Sequence, residues 1–227
     1  VNSPEAVLQW TYDTFARVAI VASFQAESSV LIDMASRIRE DVTVLTLDTG
    51  RLPQQTYDMI DRVRDRYRID VQVISPDATD VQAMVGTHGA NLFHKSAEMR
   101  RLCCDVRKSR PLARALTGYD AWITGVRREQ AATRAQTALV APDAQHQGLT
   151  KVAPLASWSK DQVWSYIHEH DLPYHSLYDL GFTSIGCAPC TRATTEGEDE
   201  RAGRWWWEVN EVKECGLHWS QETVSAR

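Results

Sequence analysis

Short apolar runs separated by helical patterns constrain the fold of this chain most. Val18-Ala19-Ile20-Val21-Ala22 is unbroken, as expected of a strand covered on both faces. Val42-Thr43-Val44-Leu45-Thr46-Leu47 and Val71-Gln72-Val73-Ile74 read as a second and a third strand. Ala121-Trp122-Ile123-Thr124 reads as a fourth and Lys151-Val152-Ala153-Pro154-Leu155 as a fifth. Between them stand helical spacings. Val7, Leu8, Tyr12 and Phe15 follow a Ser3-Pro4 helix start; Val30, Leu31, Met34 and Ile38 form a second stripe; Ile60, Val63 and Tyr67 follow Leu52-Pro53. This alternation predicts an α/β domain, a parallel sheet with helices on both faces in three layers. Ligands of such sheets bind beyond the C-terminal ends of strands. Three polar loops sit at such ends, over residues 23–29, 48–52 and 125–134.

Ser159-Lys160-Asp161-Gln162 fits a capping box, with Val163, Trp164 and Ile167 as the apolar face of its helix. From about residue 171 the pattern turns irregular. The expected organisation is a nucleotide-binding α/β domain over residues 1–170 and a C-terminal extension over 171–227. The chain has 227 residues, 43 % of them hydrophobic, enough for one such domain with a modest extension. A net charge of −5 gives no footprint for nucleic acid or a membrane surface. No apolar run approaches the roughly 20 residues that cross a bilayer. The opening residues lack a signal peptide's pattern, so a cytoplasmic protein is the expectation.

Five cysteines remain to be placed. Cys103 and Cys104 are adjacent, Cys187 and Cys190 form a Cys-x-x-Cys, and Cys215 stands alone within Glu214-Cys215-Gly216-Leu217-His218. An odd count with a Cys-x-x-Cys points to metal or redox use rather than a secreted disulfide framework. Adjacent thiols are awkward ligands for one tetrahedral zinc. An iron–sulfur cluster offers a separate iron to each thiolate. A 4Fe-4S cluster is therefore the favoured reading of the quartet, with zinc and unliganded thiols as the alternatives. Cys215 lies among polar or flexible neighbours, suits a thiol that visits two partners, and gains thiolate character from a positive charge on Lys213, His218 or a nearby arginine.

Residues 23–29, Ser-Phe-Gln-Ala-Glu-Ser-Ser, link a strand to a helix, where hydroxyls and N–H groups favour an anion. No Walker lysine or GxGxxG is present. Arg127, Arg128 and Arg134 share one loop, and Arg201 and Arg204 precede Trp205-Trp206-Trp207; clustered, such arginines clamp phosphate or sulfate. Lys108 follows Cys104 by one helical turn, which brings it beside the quartet. The tryptophan triplet reads first as packing for the tail.

Together these pieces resemble the assimilatory adenylyl-sulfate reductases, the thioredoxin-dependent relatives of the phosphoadenylyl-sulfate reductases. The resemblance is carried by Cys103-Cys104-x-x-Arg107-Lys108, Gly125-Val126-Arg127-Arg128-x-Gln130, Gly186-Cys187-Ala188-Pro189-Cys190, Gly203-Arg204-Trp205-Trp206-Trp207 and Glu214-Cys215-Gly216-Leu217-His218, with Ser23-Phe24-Gln25 and Leu47-Asp48-Thr49-Gly50-Arg51-Leu52 in support. It implies an adenine nucleotide α-hydrolase-like fold of the PP-loop type. Phe24 and Gln25 stand where ATP-using relatives carry glycines, which suits one phosphate joined to sulfate better than a pyrophosphate. It implies substrate contacts from Ser23, Phe24, Gln25, Ser28, Asp48, Thr49, Gly50, Lys108, Arg127, Arg134, Arg201, Arg204 and His218. It implies a 4Fe-4S cluster on Cys103, Cys104, Cys187 and Cys190, and Cys215 as the nucleophile that forms an S-sulfocysteine. Reduced thioredoxin, or a glutaredoxin-like dithiol, is the implied partner, and a homo-oligomer is left open. The substrate implied is adenosine 5′-phosphosulfate, with the 3′-phosphorylated nucleotide or dual specificity as the alternative. A zinc-bearing binding module, an ATP pyrophosphatase and a pure electron carrier are rivals from other classes; each leaves several of these motifs unused.

Overall fold

A computed structural model of the chain describes residues 3–143, 145–146, 148–208 and 214. Its strands are β1 (Val18–Val21), β2 (Thr43–Leu47), β3 (Asp70–Ile74), β4 (Ala121–Ile123), β5 (Val140–Asp143) and β6 (Leu149–Val152). They form one sheet in the order β3-β2-β1-β4-β6-β5. Every pairing is parallel except β5 with β6. The strands read from apolar runs are all present, but β5 was not legible. Its Pro142 removes a ladder donor, which only an edge strand tolerates, and Val140 is exposed.

The helices are α1 (Pro4–Thr14), α2 (Ala26–Ile38), α3 (Gln54–Tyr67), α4 (Ala78–His88), α5 (Ala97–Cys104), α6 (Arg110–Leu116) and α7 (Lys160–Glu169). The expected starts hold. Ser3 Oγ accepts from the Ala6 N–H at 3.2 Å, and Ser159 and Gln162 form the reciprocal capping box. Alternate strand residues face opposite ways, so Val18, Ile20 and Val44 pack against α1, α2, α3 and α7, while Ala19, Leu45 and Trp122 pack against Leu112 and Leu116 of α6. A third cluster joins Met84, Phe93 and Trp205 to Cys103, Cys187 and Cys190. Among the described residues no helix is long and apolar enough to cross a membrane.

Two features aim this frame at a site. The chain leaves β1 for β2 on one side and β4 lies on the other, so β1 and β4 flank the point where strand order reverses. The segment after residue 171 packs back onto that point: the Tyr178 hydroxyl accepts from the Ala26 N–H at 3.1 Å, and the Ile185 N–H donates to Gln25 Oε1 at 2.7 Å.

His175 in this segment is fully buried. Its Nδ1 accepts from the Leu177 N–H and its Nε2 faces the Thr56 hydroxyl at 3.0 Å. Burial outweighs the pull of Asp58 and lowers its pKa from 6.5 to about 4. The unfolded chain therefore takes up this proton below about 6.5, and the folded chain only near 4. The resulting stability is fully present above 6.5 and is lost as pH falls towards 4, by up to ~3 kcal/mol. His175→Gln should flatten urea-unfolding stability across that window; an unaltered slope would show that other groups set it.

Candidate active site

The loop after β1 turns sharply at Phe24, whose φ of 55° lies in the left-handed region that bulky residues avoid. Its fully buried side chain, set in the main core, holds that turn. Ser23 and Gln25 are thereby presented at the head of α2, with Gln25 Nε2 on Ser23 Oγ at 3.1 Å and Ser28 Oγ accepting from the Ser23 N–H at 3.2 Å. After β4 the backbone passes so close to α2 that a Cβ on Gly125 would stand 2.7 Å from the Glu27 Cβ. Only glycine permits that approach.

These loops open on a cavity of about 160 Å³ lined by Ser23, Gln25, Ser28, Thr49, Lys108 and Arg134, with Arg201 and Arg204 completing its cationic side. The sequence reading thus brought together residues far apart in the chain. Phe24, Asp48, Gly50 and Arg127 do not line it. Phe24 belongs to the core, and Asp48 accepts from the Gly50 N–H at 2.8 Å and the Tyr57 hydroxyl at 2.7 Å, shaping the loop after β2. Arg127 is 1 % exposed; its Nε donates to Glu27 Oε1 at 2.7 Å and its Nη2 to both Glu200 oxygens at 3.0 Å. Its Nη1 has no hydrogen-bond acceptor among the described residues, Glu129 standing 3.8 Å away. Cys215 and His218 lie outside the described residues.

Glu27, Glu200 and Trp205 line the cavity and were missed. No local signal marks the two acids, since each acquires its place from a partner about a hundred or more positions away or from the extension's return. Trp205 is both packing and cavity wall. It is fully buried, with the guanidinium carbons of Arg100 and Arg204 at 4.5 and 4.7 Å from its ring. Trp207 packs on His94 with ring centroids 4.2 Å apart and the planes tilted by 55°, as tail packing requires, while Trp206 is exposed.

The four cysteines meet beside this cavity. Cys103 and Cys104 close α5, which runs into α6 through a wider π turn, Asp105–Ser109, rather than the α-helical turn the spacing suggested. Cys187 and Cys190 bracket a tight turn whose Ala188 N–H bonds the Arg51 carbonyl at 2.8 Å. The chain then returns antiparallel at Thr191 and Arg204, with the Trp205 N–H on the Cys190 carbonyl at 3.2 Å. Gly186 leaves room for the Arg204 guanidinium, whose Nη2 would stand 2.2 Å from a Cβ there.

None of the four thiols is in a disulfide; all are buried and line a second small cavity with Arg107, Lys108 and Trp205. Lys108 and Trp205 thus face both cavities. Burial, then Cys187, pushes Cys190 up to about 12. Burial also works against a Cys187 thiolate, but Lys108, the Thr49 hydroxyl at 3.3 Å, Arg204 and Arg107 together hold that thiol below its ordinary value. Arg107 Nε and Trp205 Nε1 are buried donors with no acceptor among the described residues. Orphan donors of this kind cost about 1–3 kcal/mol each unless something accepts from them. Among the described residues no three His, Cys, Asp or Glu side chains converge on a single metal ion.

Residues 17–193 match the phosphoadenosine phosphosulfate reductase domain. The chain is 46 % identical to the adenosine 5′-phosphosulfate reductase of Allochromatium vinosum over 201 residues, 88 % of this chain and 78 % of that protein. It superposes on the phosphoadenylyl-sulfate reductase of Candida auris, determined as a phosphate complex, with a TM-score of 0.72 and 30 % identity over 84 % of this chain and 90 % of that one. The FMN adenylyltransferase of Candida glabrata, 15 % identical with a TM-score of 0.60 over 94 % of this chain and 73 % of its own, shares the fold. The expected PP-loop-type architecture is therefore borne out, and the chain belongs to the phosphoadenosine phosphosulfate reductase domain family.

Proposed function

We propose that the chain is an assimilatory adenosine 5′-phosphosulfate reductase that uses a thioredoxin-like dithiol and acts in the cytoplasm. The observation that carries this reading is the convergence of Lys108, Arg134, Arg201 and Arg204 on a cavity at the sheet's switch point, beside which Glu214, the residue before Cys215, is bound. The relatives' names agree with it. Gln25, which lines the cavity where ATP-using relatives carry a glycine, favours a single phosphate over a pyrophosphate. In the first step the Cys215 thiolate attacks the sulfate sulfur. An S–S bond forms, the S–O bond to phosphate breaks, and AMP leaves with that electron pair. The cationic side chains stabilise the departing phosphate. In the second step a dithiol attacks the Cys215 sulfur and sulfite leaves with the bonding pair. The dithiol's other thiol then frees Cys215, and the donor ends as a disulfide.

The four cysteines fit a 4Fe-4S cluster. They are buried, share one cavity without converging on a point, and are flanked by orphan donors suited to anionic sulfur. Cys103, Cys104, Cys187 and Cys190 would hold it. When bound it supplies structure and a local field at Lys108, since the dithiol already supplies both electrons. The residues around it do the rest: Thr49 and Arg107 fix the wall, and Lys108 faces the substrate cavity. The Candida auris likeness keeps the 3′-phosphorylated nucleotide as a second reading.

Anaerobic incubation with adenosine 5′-phosphosulfate, without dithiol, tests the proposal by intact mass and peptide mapping. The expected result is one sulfite-sized adduct on Cys215, stoichiometric AMP, and about four irons per chain by elemental analysis. No adduct with either nucleotide would overturn it.

A further inference from the structure

Glu214 is bound more completely than a tail residue needs to be. Its carboxylate takes the fork of Arg134, Nε on Oε1 at 2.8 Å and Nη2 on Oε2 at 2.9 Å. The Thr133 hydroxyl adds a bond to Oε1 at 2.9 Å, and Arg201 Nη2 one to Oε2 at 3.3 Å. Its main-chain carbonyl accepts from Arg100 Nη1 at 2.9 Å, and the same buried guanidinium holds Glu208 through Nε at 2.7 Å. Burial alone would raise the Glu214 pKa, but the bond from Arg134 and the charges of Arg201 and Arg134 hold it below the ordinary carboxylate value.

The consequence lies in Arg134. Its remaining nitrogen, Nη1, bonds Gln130 Oε1 at 2.5 Å, so each of its three nitrogens faces a protein acceptor. A guanidinium fork grips one planar or tetrahedral oxyanion at a time. An external phosphosulfate reaches that fork only when the carboxylate leaves. We propose that Glu214 is an internal surrogate for the substrate anion: it holds Arg134 and Arg201 in the resting chain, and substrate must displace it to bind them. Arrival of substrate and release of the Glu214 carboxylate are then one event. This rests on the reading that Arg134 and Arg201 receive the phosphosulfate.

The arrangement serves both states. At rest, Arg134 is buried and Glu214 neutralises it, where a lone buried guanidinium would be strongly unfavourable. After displacement, the Arg100–Glu208 pair still anchors the tail.

The test is equilibrium dialysis of labelled adenosine 5′-phosphosulfate against full-length chain carrying Cys215→Ser, so that no adduct forms. Adding Glu214→Gln should tighten binding about tenfold, because the displaced competitor loses its charge. Binding of adenosine, which carries no anion, should not change. Thr133→Val, which removes one latch bond but no cavity-lining group, should tighten binding by a smaller factor. Unchanged or weaker phosphosulfate binding in both variants overturns the proposal. If the Cys215→Ser parent binds adenosine but no phosphosulfate, the functional reading fails and the latch fails with it. A parent that binds substrate and forms its adduct once Cys215 is restored, with indifferent Glu214 and Thr133 variants, sinks the latch alone.

Discussion

Cys215→Ser is expected to lower sulfite release by at least about 10⁴-fold, the scale on which removal of a covalent nucleophile acts. A serine hydroxyl is a far weaker nucleophile than a thiolate, and the deeper reason is electronic. Attack by Cys215 makes an S–S bond whose later cleavage expels sulfite with an electron pair. Attack by serine would make a sulfate ester, in which the sulfur keeps its oxidation state and offers a dithiol nothing to reduce. The variant should still bind nucleotide and keep its four thiols, because Ser23, Gln25 and Thr49 line one cavity and the four cysteines another, both built from elements that precede Cys215 in the chain. Anaerobic sulfite assay with excess dithiol, beside nucleotide dialysis, checks both halves. Residual turnover above about one per cent would move the nucleophile elsewhere.

Much of this was legible because each signal was local. An apolar run covered on two faces reads as an inner strand, and β1, β2 and β4 obey. Ser3, Ser159 and Gln162 announce helix starts by chemistry confined to one turn. The cysteine quartet is two short motifs, and their meeting was expected from donor type. The unread elements owe their form to distant neighbours. β5 is a short edge strand interrupted by Pro142 that exists through pairing with β6. α4 buries only Met84, so its sequence shows no stripe. Within the site, Arg127 shows the limit most clearly. Its motif was visible, and the placement of its side chain between two acids was not. Nothing near Glu27 or Glu200 in the sequence says that they share one guanidinium.

The two cavities sharing Lys108 and Trp205 as wall explain why the chain wraps its extension over the sheet's switch point rather than leaving it as a separate module. Gly186 and Gly203 let Arg204 and the returning chain pack without side chains between them; a Cβ on Gly203 would stand 2.3 Å from the Arg192 carbonyl. The Cys-x-x-Cys, the cavity-lining Arg204 and the Trp205 ring between them are thereby fixed to one another. Under the proposed function, a change at the thiols would reach the anion site through these two shared side chains.

Arg127→Leu is expected to destabilise the chain by about 3–5 kcal/mol, the range for removing one partner from a buried ion network. Arg127 is 1 % exposed and bonds Glu27 from α2 and Glu200 from the extension. Without it, two carboxylates share a poorly hydrated wall, and Gln130 alone remains to bond Glu27, through Nε2 at 2.9 Å. Burial, even with Arg127 present, raises the Glu200 pKa. In the variant that rise should grow. A carboxyl whose folded pKa lies above its unfolded value adds stability that is present at low pH and lost as pH climbs through the folded pKa. The deficit of Arg127→Leu should therefore be larger at pH 8 than at pH 5.5, in urea unfolding monitored by tryptophan fluorescence. The freed carboxylates line the cavity, so KM for the anionic substrate should rise as well. A deficit below about 1 kcal/mol and independent of pH, with KM still raised, would return Arg127 to the role its motif first suggested, a direct contact to substrate through Nη1.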